Sequence, residues 1–197
     1  MRIFIAGVAC VGKTTVGERL AALLGYRFFN VDSEIERYFN TPLARLQNRC
    51  LTAYSFSLKA AEVLKHILSR PDSADCVIAL PPSGLLRGYW KVVKTVRDSR
   101  IVVLDDTPEN ILKRITFYDD DSQSIEKTLS DREKRLYLKD IREDITYFRR
   151  SYERAHLWVD IAGCGPDDAA LKVKDAVAEN PSSWRSHASE RPDQQLP

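Results

Sequence analysis

The run Gly7-Val8-Ala9-Cys10-Val11-Gly12-Lys13-Thr14 restricts this chain more than any other feature. It fits G-x-x-x-x-G-K-[ST], and its flanks fit what that spacing demands. Arg2 to Ala6 (RIFIA) reads as a buried strand. Lys13 to Leu24 reads as a helix with Val16, Leu20, Leu23 and Leu24 on one face, ended by Gly25. A strand that turns through glycines into a helix leaves the first helical amides unpaired and aimed into the turn, where the helix dipole favours an anion. The glycines let the backbone wind tightly around phosphate. Loop residues Ala9, Cys10, Val11, Gly12, Lys13, Thr14 and Thr15 are therefore the expected nucleotide contacts. Lys13 supplies a point charge for the outer phosphates, and the Thr14 hydroxyl is placed to ligate Mg²⁺. ATP and Mg²⁺ are the cofactors this predicts. Cys10 is either a thiol activated by the helix N-terminus or a small residue of which only the backbone matters.

The rest of the chain alternates strand-length apolar runs with longer helical ones. Arg27 to Asn30, Cys76 to Leu80, Ile101 to Leu104 and Leu157 to Ile161 read as strands, rich in Val, Ile and Phe. Helices are expected over 33–39, after Pro42, over 51–68, from the Thr107-Pro108 cap to Ile115, over 131–155 and over 167–178. Five strands separated by helices imply βαβ units, hence a parallel sheet with right-handed crossovers and helices on both faces. The expected unit spans residues 1–179. The tail 180–197, polar and rich in Pro and Ser, is expected to be disordered.

Composition narrows the partners. Lys and Arg total 30 against 28 Asp and Glu, a net charge of +2, which gives no global attraction for nucleic acid. No apolar run approaches the roughly 18 residues of a membrane span, and Met1 to Ala6 reads as a strand, not a signal peptide. Cys10, Cys50, Cys76 and Cys164 form no CxxC pair, which favours reduced thiols and a cytoplasmic location. A small-molecule substrate and a monomer are expected, with neither nucleic acid nor membrane as partner.

Over Met1 to Glu36, where the P-loop runs on through TVGERLAALLGYRFFNVDSEIE, the sequence resembles the shikimate kinase family, small P-loop kinases of the nucleoside monophosphate kinase type. The resemblance is weaker but traceable to about Ala178. It implies a three-layer α/β fold, a five-stranded parallel sheet in the order 2-3-1-4-5, and a lid at about 116–127. It also implies transfer of the γ-phosphoryl of Mg-ATP to a substrate hydroxyl.

Carried over position by position, the family's D-x-D becomes Asn30-Val31-Asp32. The metal-side carboxylate is thus replaced by Asn30. Asp32 matches the substrate-side Asp, a candidate to orient or deprotonate the acceptor hydroxyl, or else to cap the helix that follows. Lys13 and Asp32 are the expected catalytic pair. The family's carboxylate-gripping Arg falls on Ser57, and its Gly-Gly-Gly on Pro81-Pro82-Ser83. Proline has no N–H to offer, so shikimate itself is expected to be a poor acceptor. The lid segment Phe117 to Gln123 has no Arg and is acidic. Arg114 fits the family position that packs on the adenine, or is a solvated helix end.

The 131–155 helix carries an apolar seam of Leu138, Ile141, Ile145, Phe148, Tyr152 and Ala155. At about 100° per residue, Arg149 lies roughly 70° from the seam's centre and Arg150 roughly 170° away. Arg149 therefore matches the family's substrate-contacting Arg, unless these arginines only form a charged solvated face. Asp32, Ser57 and Arg149 are the expected substrate-side residues. A small-molecule kinase is the leading expectation; the alternatives are a nucleotide kinase, or a P-loop module that binds or hydrolyses nucleotide without an acceptor.

Overall fold

The computed structural model describes residues 1–118, 124–125 and 127–179. Five parallel strands form the sheet: β1 (Arg2–Ala6), β2 (Arg27–Asn30), β3 (Cys76–Ala79), β4 (Ser99–Asp105) and, last in the chain, β7 (Leu157–Asp160). Their order is β2-β3-β1-β4-β7, the order 2-3-1-4-5 once the sheet strands alone are counted. Between them in sequence, β5 (Phe117–Tyr118) and β6 (Ser124–Ile125) pair as a short antiparallel hairpin within the expected lid. The acidic lid residues Asp119, Asp120 and Asp121, with Ser122 and Gln123, and the expected disordered tail 180–197, lie outside the described residues.

The register brings the functional strand ends together. Ile5 pairs with Ala79, Asn30 with Ala79, Ala6 with Val103, and Asp105 with Asp160. All five carboxyl ends therefore open on one edge, where a ligand crevice forms in open α/β sheets. The centre of the sheet is dry: Ile3, Phe4, Ile5 and Ala6 of β1 are fully buried, as are Val77, Ile78 and Val102. Burying each large aliphatic contributes roughly 1.5–3 kcal/mol, so β1 is a rigid base for the loop that leaves it.

Around the sheet run α1 (Lys13–Leu24), α2 (Val31–Phe39), α3 (Leu43–Asn48), α4 (Ala53–Ser69), α5 (Arg87–Val93), α6 (Pro108–Lys113), α7 (Asp131–Tyr152) and α8 (Pro166–Ala178). Gly25 ends α1 at φ 67°, with Tyr26 N–H returning to Ala21 O at 2.9 Å, a Schellman closure. Helix α2 begins two residues before the expected Ser33. Its cap is Asn30, whose Oδ1 accepts from Ser33 N–H at 3.2 Å, so Asp32 does not cap it and sits in its first turn. Helix α4 starts at Ala53 rather than Leu51 because Thr52 and Ser55 form a capping box. Helix α7 stops at Tyr152, short of Ala155, in a turn closed by Ala155 N–H on Tyr152 O at 2.9 Å.

Sequence reasoning missed α5. It is seven residues long, and no side chain caps its start. Packing specifies it: Gly88 lies so close to α4 that a Cβ there would stand 2.4 Å from Ser57 O.

Candidate active site

The P-loop leaves β1 at Gly7 and enters α1 at Lys13. Gly7 has φ 144°, and a Cβ on it would lie 2.8 Å from Val11 Cγ1 and 3.0 Å from Leu104 O. Val8 and Val11 are buried and pin the loop to the core, while Cys10 is exposed at φ 58°, a left-handed conformation that few non-glycine residues adopt. Gly12, at φ 106°, precedes the helix with no side-chain cap. The first amides of α1 are thereby left for a ligand.

Lys13 Nζ donates to Gly7 O at 3.0 Å and to Val8 O at 2.7 Å, folding the ammonium over its own loop. Burial lowers its pKa to about 8, against the opposing pull of the Asp32 charge and of Cys10. It is still largely protonated at neutral pH. Asp32 is affected in the complementary way: burial raises its pKa, the Lys13 charge pulls it down, and Glu36 pushes it up. A carboxylate pushed upward beside the phosphate-binding lysine suits a proton acceptor.

Thr14 Oγ1 accepts from Asn30 Nδ2 at 2.9 Å. Asn30 thus does two jobs at the end of β2, holding the Thr14 hydroxyl with its amide nitrogen and capping α2 with its oxygen. Across the P-loop, Arg114 closes the end of α6. It pairs with the fully buried carboxylate of Asp106 at 2.5 Å, and its Nη1 reaches Val11 O at 3.4 Å. Asp106 is itself held by Thr107 N–H at 2.7 Å and Asn110 Nδ2 at 2.8 Å. Arg114 is therefore a helix-end residue and a P-loop contact at once.

These groups line one cleft of about 600 Å³, within the usual range for small-molecule sites. It brings together Ala9, Cys10, Val11, Gly12, Lys13, Thr14, Thr15, Asp32 and Arg114, all expected from the sequence. It also includes Asn30 and Pro82, which the family resemblance set at the metal-side and substrate-side positions, together with Ala79 and Leu80 on one side and Ile161, Cys164, Pro166 and Ala169 on the other, which sequence reasoning did not assign to a site. Their common signal is position: each lies at or just beyond the carboxyl end of a sheet strand, or at the start of the following helix.

Two expected substrate residues stand elsewhere. Ser57 is buried between α4 and α5, its hydroxyl donating to Tyr54 O at 2.8 Å, and it does not line the cleft. Arg149 is exposed on α7 and does not line it either. From Ile141 onward the α7 seam packs inward as the sequence pattern predicts, with Ile141 and Tyr152 buried and Ile145, Phe148 and Ala155 packed against the core, while Leu138 is half-buried outside it. Its carboxyl end braces the loop after β3. Tyr152 OH donates to Pro82 O at 3.0 Å, and Arg154 donates to Leu85 O while its guanidinium lies 5.1 Å from the Trp90 ring centroid. Behind Asp32, Tyr89 is 1% exposed, and its hydroxyl meets no hydrogen-bond partner among the described residues. Burial and the Asp32 charge both push its pKa up.

A phosphate loop leaving the central strand of this sheet, with a carboxylate facing its lysine, defines a P-loop kinase. The shikimate kinase family model matches residues 9–158. The shikimate kinase of Moorella thermoacetica is 30% identical over 177 residues, covering 89% of this chain and 93% of that protein. The bifunctional shikimate kinase/3-dehydroquinate synthase of Thermotoga maritima is 31% identical over 121 residues, 59% of this chain but 22% of that longer protein. The chain thus spans about a fifth of the Thermotoga relative and nearly all of the Moorella one. Among solved structures, the shikimate kinase of Acinetobacter baumannii in complex with shikimate superposes with a TM-score of 0.67 at 24% identity, covering 89% of this chain and 92% of that one. The chain belongs to the shikimate kinase family.

Proposed function

We propose that the protein is an ATP-dependent kinase that transfers the γ-phosphoryl group to a hydroxyl of a small molecule. The observation that carries this reading is the pairing of a complete P-loop with Asp32, whose half-buried carboxylate shares one cleft with the Lys13 charge and interacts with it. A module that only held nucleotide would have no use for a proton acceptor there.

Nucleotide phosphates replace the Gly7 and Val8 carbonyls as partners of Lys13, and the amides of the loop and of the α1 N-terminus take the remaining oxygens. Arg114, fixed by Asp106, stands at the β4–β7 side for the nucleoside. Asp32 orients the acceptor hydroxyl and takes its proton as phosphoryl transfer proceeds. The donor set fits Mg²⁺ brought in on the nucleotide, an ion that keeps most of its water and needs few protein oxygens. Thr14 Oγ1, with a lone pair beyond the one bonded to Asn30, would hold it, and the ion would neutralise charge on the phosphates. Asn30 leaves the site one carboxylate poorer than the family pattern.

The kinase unit is proposed to span residues 1–179, with residues 116–127 as its lid. Four free cysteines support a reducing, cytoplasmic setting for a monomer. No helix among the described residues is long and apolar enough to cross a membrane. The test is ADP release at saturating Mg-ATP with and without hydroxyl acceptors. Acceptor-dependent release, lost in Asp32→Asn, is expected; an acceptor-independent rate unchanged by that substitution would refute the reading.

A further inference from the structure

The strand order divides the cleft. Central β1 carries the P-loop. On the β4–β7 side stand Arg114, Ile161 and Cys164; on the β2–β3 side stand Asn30, Asp32, Ala79, Leu80 and Pro82. Because Asn30 is in register with Ala79, Leu80 and Pro82 follow directly beside the turn that carries Asp32. If Asp32 meets the acceptor hydroxyl, the acceptor's body rests on this second side.

That side holds one carboxylate, one amide whose nitrogen and oxygen are both engaged, and apolar surface. Among the described lining residues the basic side chains are Lys13 and Arg114. The first belongs to the phosphates, and the second is tied to Asp106 on the far side of β1. The lid sequence from 116 to 127 carries one basic residue, Lys127, and its ammonium is paired with Glu133 at 2.9 Å. Pro81 and Pro82 have no N–H to turn toward an anion. A substrate carboxylate placed here would lose hydration without gaining a guanidinium or amide, and would approach Asp32, a like charge.

We propose that the acceptor is an uncharged alcohol with an apolar face, seated on Leu80 and Pro82 with its hydroxyl on Asp32, and that the site discriminates against alcohols bearing a carboxylate. This rests on the kinase reading above. It changes the substrate class, because the chain retains the phosphoryl-transfer half of the family's site while the half that would grip an acid has become neutral and apolar.

The experiment compares two probes that share every hydroxyl and differ in one charge: shikimate and its methyl ester. Each is offered to the full-length chain with Mg-ATP, and ADP release is followed over a range of concentrations. A kcat/KM at least tenfold higher for the ester is expected. A kcat/KM for the acid equal to or above that of the ester overturns the inference while leaving the kinase reading standing. If that acid preference disappears in Arg45→Ala or Arg49→Ala, the missing cation is supplied by α3 or by the residue that caps its end. If neither probe raises ADP release above the acceptor-free rate while calorimetry shows ATP bound, the inference fails, and the kinase reading is decided separately by its own test with other hydroxyl acceptors.

Discussion

On the β4–β7 side of the P-loop, charged groups are tied down before any ligand arrives: Asp106 is held by Thr107 and Asn110, and Arg114 is held by Asp106 and Val11 O. On the β2–β3 side the charged group that matters, Asp32, is held by no such network among the described residues, and burial rather than pairing dominates its titration. One half is a rigid receptor whose hydrogen bonds are already made. The other is a half-buried carboxylate beside an apolar wall. A phosphate chain has the same shape in every kinase of this fold, so its receptor can be fixed by local chemistry. On the proposed acceptor side the departures from the family pattern, such as Pro81 and Pro82, fall outside the P-loop.

The largest effect expected from separating the two halves is that of Asp32→Asn. Loss of the proton acceptor should lower kcat by about 10²–10⁴-fold. ATP affinity at pH 7 should fall only modestly: the substitution removes the Asp32 charge that holds the Lys13 pKa up, but bound phosphates favour the charged ammonium in its place. A variant that loses ATP binding and turnover in equal measure would show that the halves are not separable.

Lys13→Ala tests the opposite half. Charge-assisted contacts to phosphate contribute roughly 1.5–3 kcal/mol, so ATP affinity should fall about 10- to 100-fold. Folding should be spared, since the hydrogen bonds of Lys13 among the described residues go to its own loop. Calorimetry for binding and a thermal melt for folding decide this together.

A smaller effect follows from pH. The free Lys13 loses its proton as pH rises through about 8, and bound phosphates favour the charged form. Affinity should be flat below pH 7 and about tenfold weaker at pH 9 than at pH 7, with proton uptake on binding near pH 8. Titrations in two buffers of different ionisation enthalpy measure that uptake. Identical heats in both buffers would place the lysine's pKa outside this window.

The smallest change is Tyr89→Phe. It removes a buried hydroxyl that lacks a partner among the described residues, so stability should stay level or rise by up to about 1 kcal/mol, roughly 2–4 °C in Tm. A loss of several degrees would reveal a partner for that hydroxyl, with Asp32 the candidate. Its pH–rate profile would then shift as well.

Legibility in the sequence follows the same division. The nucleotide half was readable because its chemistry is contiguous: one octapeptide between a strand and a helix supplies amides, charge and hydroxyl at fixed spacing. Asp32 was readable from its place just beyond β2. Ser57, from the family resemblance, and Arg149, from its angle to the helix seam, are the expected substrate contacts; the fold sets Ser57 beneath α5 and leaves Arg149 exposed on α7. Helix α5 itself was missed, because it lacks a side-chain cap and depends on the close approach of Gly88 to α4.

The sequence by itself determined the parallel sheet, the phosphate loop and the nature of the nucleotide-binding groups, since these rest on periodicity and on spacings of a few residues. Only the tertiary structure decided which strand ends share a cleft, that Asn30 holds Thr14, that Asp106 fixes Arg114, and that Lys13 and Asp32 are buried enough to shift each other's titration. Those outcomes depend on register and on exclusion of water by residues distant in the chain, and no local spacing encodes either.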